Sequence, residues 1–205
     1  GLLGTRAAAI PVKTFHSFGA GVLREFGARE GIDPRFVVCS EDDRAALLRM
    51  ACPDTPAADH SGLLDRIGRI KNGLAALDDA DPAVQAAYDR YERMLAQSHA
   101  LDFDDLVARP VRLLENHPEL LAELRRRYRW ISVDEYQDVN RVQARLLDLL
   151  AGGGANLCVI GDPDQAIYGF RGADRRHFLA FGEQYPHARR LTLLDNYRST
   201  QTILD

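Results

Sequence analysis

Asp134 and Glu135 stand side by side at the end of the apolar run Ile131-Ser132-Val133. Open parallel sheets bind ligands just beyond the carboxyl ends of their strands. An aspartate there can hold Mg²⁺, while a neighbouring glutamate orients or deprotonates a water. The same pair could instead cap the next helix. A second buried-strand pattern, Leu157-Cys158-Val159-Ile160, runs into Gly161-Asp162-Pro163-Asp164-Gln165 and then Tyr168, Phe170 and Arg171. A glutamine beyond a strand end can hydrogen-bond a phosphate, aromatic rings can stack on bases, and an arginine can pair with phosphate or acid. A third segment, Asn196-Tyr197-Arg198-Ser199, sets another aromatic beside another arginine.

In order and spacing these segments resemble the superfamily 1 DNA helicases of the UvrD/Rep/PcrA type. Residues 134–138 read DEYQD, 161–173 read GDPDQAIYGFRGA, and 196–199 read NYRS. The resemblance extends to TFHS at 14–17 and to LDFDDL at 101–106. It implies an α/β fold: a RecA-like P-loop NTPase parallel sheet, the first motor domain in part, with an inserted helical subdomain. Residues 1–24 and 98–192 would form that domain, 25–97 the insertion, and 193–205 the start of a second RecA-like domain. The implied activity is ATP-dependent 3′-to-5′ translocation on single-stranded DNA with duplex unwinding, serving repair or recombination. ATP and Mg²⁺ would be required, and single-stranded DNA and its junctions with duplex would be the partners.

Roles follow residue by residue from the resemblance. Asp134 would hold Mg²⁺, Glu135 would activate the attacking water, and Gln137 would couple the two sites. Gln165 and Arg198 would face the γ-phosphate and Tyr197 the adenine. Thr14 and His16 would touch the DNA backbone. Tyr168 and Phe170 would stack on bases, although Phe170 stands where the family usually has Trp and offers a smaller ring face. Plainer readings stand beside these: Gln165 as a turn-stabilising residue, the aromatics as core, and Thr14 as a helix cap next to a packed His16.

One departure weighs against the matches. The phosphate-binding loop GxxxxGK[ST] is absent from the 205 residues. Lys13-Thr14 follows Ile10-Pro11-Val12, with no glycine to turn the backbone toward a phosphate. Gly152 to Gly154 follow an apolar helical pattern, lack a lysine, and read as a helix C-terminal loop. In the family the phosphate loop lies upstream of TFHS, and the chain opens Gly-Leu-Leu-Gly, so an internal piece of a longer protein is expected. The alternative is a non-catalytic DNA-binding or interaction module.

Composition is that of an ordinary globular chain, with no apolar stretch near the ~20 residues a membrane span needs, and a cytoplasmic location is expected. Cys39, Cys52 and Cys158 lack CxxC spacing and read as buried thiols. A net charge of −4 disfavours a strongly basic DNA groove and suits stacking on a track that must be released. Arg125-Arg126-Arg127-Tyr128-Arg129 reads as a basic helix end rather than a DNA patch.

The elements that must position these residues follow from periodicity. A strand is expected over 11–15 and helices over 16–28, 41–51, 63–77, 82–97, 102–116 and 118–127. Then strands at 130–134, 157–161 and 191–194 alternate with helices at 140–151 and 173–183, implying a parallel sheet covered on both faces. The helices between 41 and 97 show no evident chemistry. Asp102, Asp104 and Asp105 crowd a helix start and read as caps rather than metal ligands.

Overall fold

The computed structural model describes residues 10–152, 156–167, 176–193, 195 and 200. Helix α1 (Phe15–Phe26) begins where Thr14, in extended backbone, accepts the Ser17 amide on its hydroxyl at 3.1 Å. The expected strand over 11–15 is therefore not formed. Pro11 cannot donate to a ladder, and Thr14 is committed as the helix cap.

Next come β1 (Val37–Val38), α2 (Glu41–Ala51), α3 (His60–Lys71), α4 (Pro82–Gln97) and β2 (Ala100–Leu101). A reciprocal Ser40–Asp43 capping box starts α2, and Pro82 opens α4 behind an Asp81 cap. Helix α3 stops at Lys71 instead of running on to 77, because Gly73 takes a left-handed backbone. Strands β1 and β2 form a parallel pair too short to read from periodicity.

The rest comprises α5 (Asp105–Asn116), α6 (Pro118–Arg127), β3 (Trp130–Val133), α7 (Arg141–Ala151), β4 (Asn156–Val159), α8 (Arg176–Leu179) and α9 (Phe181–Gln184). The helix expected over 173–183 is thus two short helices broken at Ala180, with 173–175 outside the described residues. The strand expected over 191–194 is not present at 191–193, where Leu191 and Leu193 face solvent and no described strand pairs with them. The architecture is mixed α/β, with two small parallel sheets among the described residues.

Two apolar clusters account for most of the helix packing. One joins α1, α5, α6 and α7 through Val22, Leu23, Leu113, Leu114, Leu124 and Leu146. Gly19 lets α1 cross α5 closely, since a Cβ there would collide with the Leu106 carbonyl. The other joins α2, α3 and α4 through Leu48, Ile67, Tyr91 and Leu95, all fully buried. Each such aliphatic side chain stabilises by about 1.5–3 kcal/mol relative to exposure. Among the described residues no helix is long and apolar enough to cross a membrane.

Candidate functional site

Parallel pairing of β3 with β4 sets Val133 opposite Val159. The ladder continues one step, with the Ile160 amide donating to the Val133 carbonyl at 2.8 Å and the Tyr136 amide to the Ile160 carbonyl at 2.9 Å. Both chains then turn at the same end of the sheet. That end carries Asp134 and Glu135 from one strand and Asp162 and Gln165 from the other.

Asp134 and Glu135 are both exposed, and Asp134 Oδ1 accepts the Glu135 amide at 3.0 Å. Glu135 has φ 53° and ψ 42°, a left-handed backbone shared by only one other non-glycine among the described residues, His99. Such a conformation is costly for a side-chain-bearing residue and marks a position fixed by its surroundings. Gln137 Nε2 donates to Glu135 Oε2 at 2.7 Å, and Gln137 Oε1 accepts the Asp162 amide at 3.1 Å. Asp162 Oδ2 in turn accepts Gln165 Nε2 at 2.8 Å, and its Oδ1 accepts the Asp164 amide at 3.0 Å. Burial and the Glu135 charge raise the Asp138 carboxyl above its ordinary range.

The structure thus brings Asp134, Glu135, Gln137 and Gln165 together. An accessible carboxylate at a strand end is a suitable hard oxygen donor for Mg²⁺. A cleft of about 900 Å³ is lined by Asp134, alone of these four, and reaches Thr14 and His16 at the start of α1. Its wall is largely apolar, both aliphatic, from Ile131, Val133 and Leu157, and aromatic, from Phe15, Phe18 and Trp130. Tyr168, Phe170, Tyr197 and Arg198 lie outside the described residues.

Thr14 is the α1 cap, as its plainer reading has it. His16 is half-buried, and burial lowers its pKa toward the neutral ring. Its imidazole stacks on Phe103, centroids 3.7 Å apart and planes 21° from parallel. Phe103 remains 50% exposed. Sequence reasoning gave this residue no role, yet its position inside LDFDDL, the single aromatic among acids, was the available signal. Among the arginines of 125–129, Arg125 Nε donates to the Leu149 carbonyl at 2.9 Å, and Arg127 makes two 2.8 Å hydrogen bonds to Glu25. These two brace the fold.

The helices expected to lack chemistry contribute a buried charge cluster. Lys71, at the end of α3, lies 2.6 Å from Glu92 and 2.9 Å from both Asp102 and Asp105. Arg44 adds a contact to Asp104 at 2.9 Å, and Arg109 one to Glu92 at 2.7 Å. Asp102 and Asp105 do cap each other's amides, at 2.9 and 3.1 Å, but capping is only part of their work. Burial opposes the Lys71 charge, yet Asp105, Asp102 and Glu92 hold the ammonium firmly protonated. Burial, with Asp102 and Glu92 nearby, pushes Asp105 up to about 6. The available signal was Lys71 four residues after Ile67 on the apolar face of a helix. The cysteine expectation needs correction as well: Cys52 is buried, Cys39 half-buried and Cys158 exposed.

A parallel strand pair ending in two carboxylates, faced by a glutamine-bearing turn and flanked by a capped helix, is the arrangement on which family comparison can be read. The family model for the UvrD/REP helicase N-terminal domain matches residues 2–186, and the chain belongs to that family. It is 38% identical over 216 residues to the ATP-dependent DNA helicase PcrA of Staphylococcus epidermidis, and equally to that of Staphylococcus aureus. Each alignment covers all of this chain and 30% of the relative, so the chain spans under a third of their length.

Proposed function

We propose that the chain is the segment of an ATP-dependent DNA helicase that carries the water-activating half of the ATP site and part of the DNA track. The observation that carries this reading is the hydrogen-bonded series Glu135, Gln137, Asp162 and Gln165 at the carboxyl end of a parallel strand pair, in a member of this family. The first RecA-like domain comprises 1–24 and 98–192, and 25–97 is an inserted helical subdomain. The separate apolar cluster of α2, α3 and α4 supports that division. Residues 193–205 begin a second such domain.

Bound Mg²⁺ supplies charge neutralisation at the phosphates, and Asp134 is the residue that would hold it. Glu135 orients a water and accepts its proton as the water oxygen attacks the γ-phosphorus and ADP departs. Gln165 hydrogen-bonds the γ-phosphate, Arg198 neutralises charge there, and Tyr197 stacks on adenine. Thr14 and His16 meet the DNA backbone. Tyr168 and Phe170 stack on bases, and Phe103, exposed and stacked on His16, offers a further ring face. Translocation runs 3′ to 5′ on single-stranded DNA, in repair or recombination, inside the cytoplasm. DNA-stimulated ATP hydrolysis by the full-length protein, abolished by Glu135→Gln, tests the proposal; undiminished turnover in that variant refutes it.

A further inference from the structure

We infer that Gln137 is a positioning residue for ATP hydrolysis, bridging the Glu135 carboxylate to the turn that carries Gln165. The inference rests on the function proposed above and adds a working part to it. Gln137 is 1% exposed, an unusual place for a primary amide. Leaving such a group unpaired in the interior costs about 1–3 kcal/mol, so its bonds fix its orientation. One bond, to Glu135, comes from the amide nitrogen; the other, from the Asp162 amide, goes to the amide oxygen. The two ends of one planar group therefore face the two turns at once.

Glu135 needs such a partner. Its left-handed backbone aims the side chain by a conformation that L-residues seldom hold unaided, and the 2.7 Å bond from Gln137 anchors the carboxylate at its far end. Four further carboxylates sit on these turns, Asp134 and Asp138 beside Glu135 and Asp162 and Asp164 across the pair, so a neutral donor supplies direction without adding charge. Opposite, Gly161 leaves the space that Gln137 fills: an added Cβ would collide with Gln137 Oε1 and stand 3.1 Å from Phe178 Cε2. Asp162, the next residue, holds Gln165 through its carboxylate. A shift of the 161–165 turn consequently withdraws the group that aims Glu135. The base and the phosphate-facing glutamine move as one unit.

The test uses the purified full-length protein that contains this chain. Gln137→Met keeps volume and burial without hydrogen bonds. Its kcat for DNA-stimulated ATP hydrolysis should fall on the order of 100-fold, the scale of a misplaced catalytic group, with KM for ATP nearly unchanged. Hydrogen exchange should quicken at the Asp162 amide. Gln137→Glu, whose buried carboxyl beside Glu135 is held protonated, can still donate to Glu135 and accept the Asp162 amide, so exchange should stay slow and kcat should fall less than in Gln137→Met. Gly161→Ala attacks the bridge from the other side and should lower kcat and speed exchange together. Wild-type kcat in Gln137→Met overturns the inference, as does general exchange across 130–167 with kcat and KM impaired alike, the mark of a packing role. A wild-type protein that hydrolyses no ATP overturns the proposed function itself, and is distinguished from those results because the failure appears before any substitution.

Discussion

Glu135 and Asp134 are adjacent in sequence but are given different work by their settings. Glu135 is turned by its backbone and held by Gln137, whereas Asp134 is an exposed carboxylate whose Oδ1 accepts the next amide. Glu135→Gln keeps shape and hydrogen-bonding capacity while removing the proton acceptor. In the full-length protein it should cut ATP turnover by about 10²-fold or more and leave nucleotide affinity intact. Asp134→Ala should weaken Mg²⁺-dependent nucleotide binding itself, so equilibrium binding with and without Mg²⁺ separates the two roles. On the proposed DNA track, Phe103 stacks on His16 and stays half exposed, so its ring can offer a face to a base. Stacking is worth ~1–3 kcal/mol per base, so Phe103→Ala should weaken single-stranded DNA affinity about 5- to 100-fold with little sequence preference. Unchanged affinity in a fluorescence-anisotropy titration would return Phe103 to a purely structural role.

Between elements, the Lys71 cluster fastens α3 and α4 to the start of α5. Removing one partner of a buried ion pair strands the others, so Lys71→Met should destabilise the fold by about 3–5 kcal/mol in urea denaturation. The pH dependence has a definite sign. Asp105, raised to about 6, keeps a proton in the folded state that the unfolded chain has already released above its ordinary value. Stability from this group is therefore full below about 4 and is lost as pH rises toward 6. Asp102 runs the other way: burial opposes its charge, but Lys71 holds it ionised below the usual range, so its contribution is lost only as pH falls further. Asp105→Asn, which keeps an acceptor for the Asp102 amide, should flatten the decline between pH 4 and 6; an unaltered slope would place the titration elsewhere. Sequence reasoning found the bounds of α2, α4 and α6 because caps, prolines and apolar periodicity all act within one turn. It missed the cluster because Glu92 and Asp102 reach Lys71 across 21 and 31 positions, through contacts that no local pattern encodes. The site divides the same way: the DEYQD and GDPDQ segments were legible as motifs. That Gln137 joins them depends on β3–β4 register and on the space left by Gly161, which no local pattern encodes.

For the whole molecule, the question is what these 205 residues, which span under a third of the length of the relatives they match, can do by themselves. Trp130 is 76% exposed, and Val12, Ile160, Leu191 and Leu193 are also open to solvent. Trp130 and Ile160 sit on or beside a parallel pair in which each strand has one neighbour among the described residues, and a two-stranded sheet has little stability of its own. The apolar cleft next to β3 leaves further carbon surface open to solvent. The proposed ATP site lacks one part. Backbone donors and a lysine of a phosphate-binding loop are what hold the β- and γ-phosphates, and no GxxxxGK[ST] occurs in the sequence. A well-aimed Glu135 cannot compensate, since a base accelerates attack only on a phosphorus that is already held in line. The purified 205-residue chain should therefore bind ATP weakly or not at all, show no DNA-stimulated ATPase, and self-associate through its apolar face in sedimentation velocity. The full-length protein should gain nucleotide binding and turnover and remain soluble at the same concentration. DNA-stimulated hydrolysis by the 205 residues alone would show that a second phosphate-holding arrangement exists within them, and the division of the ATP site proposed above would have to be redrawn.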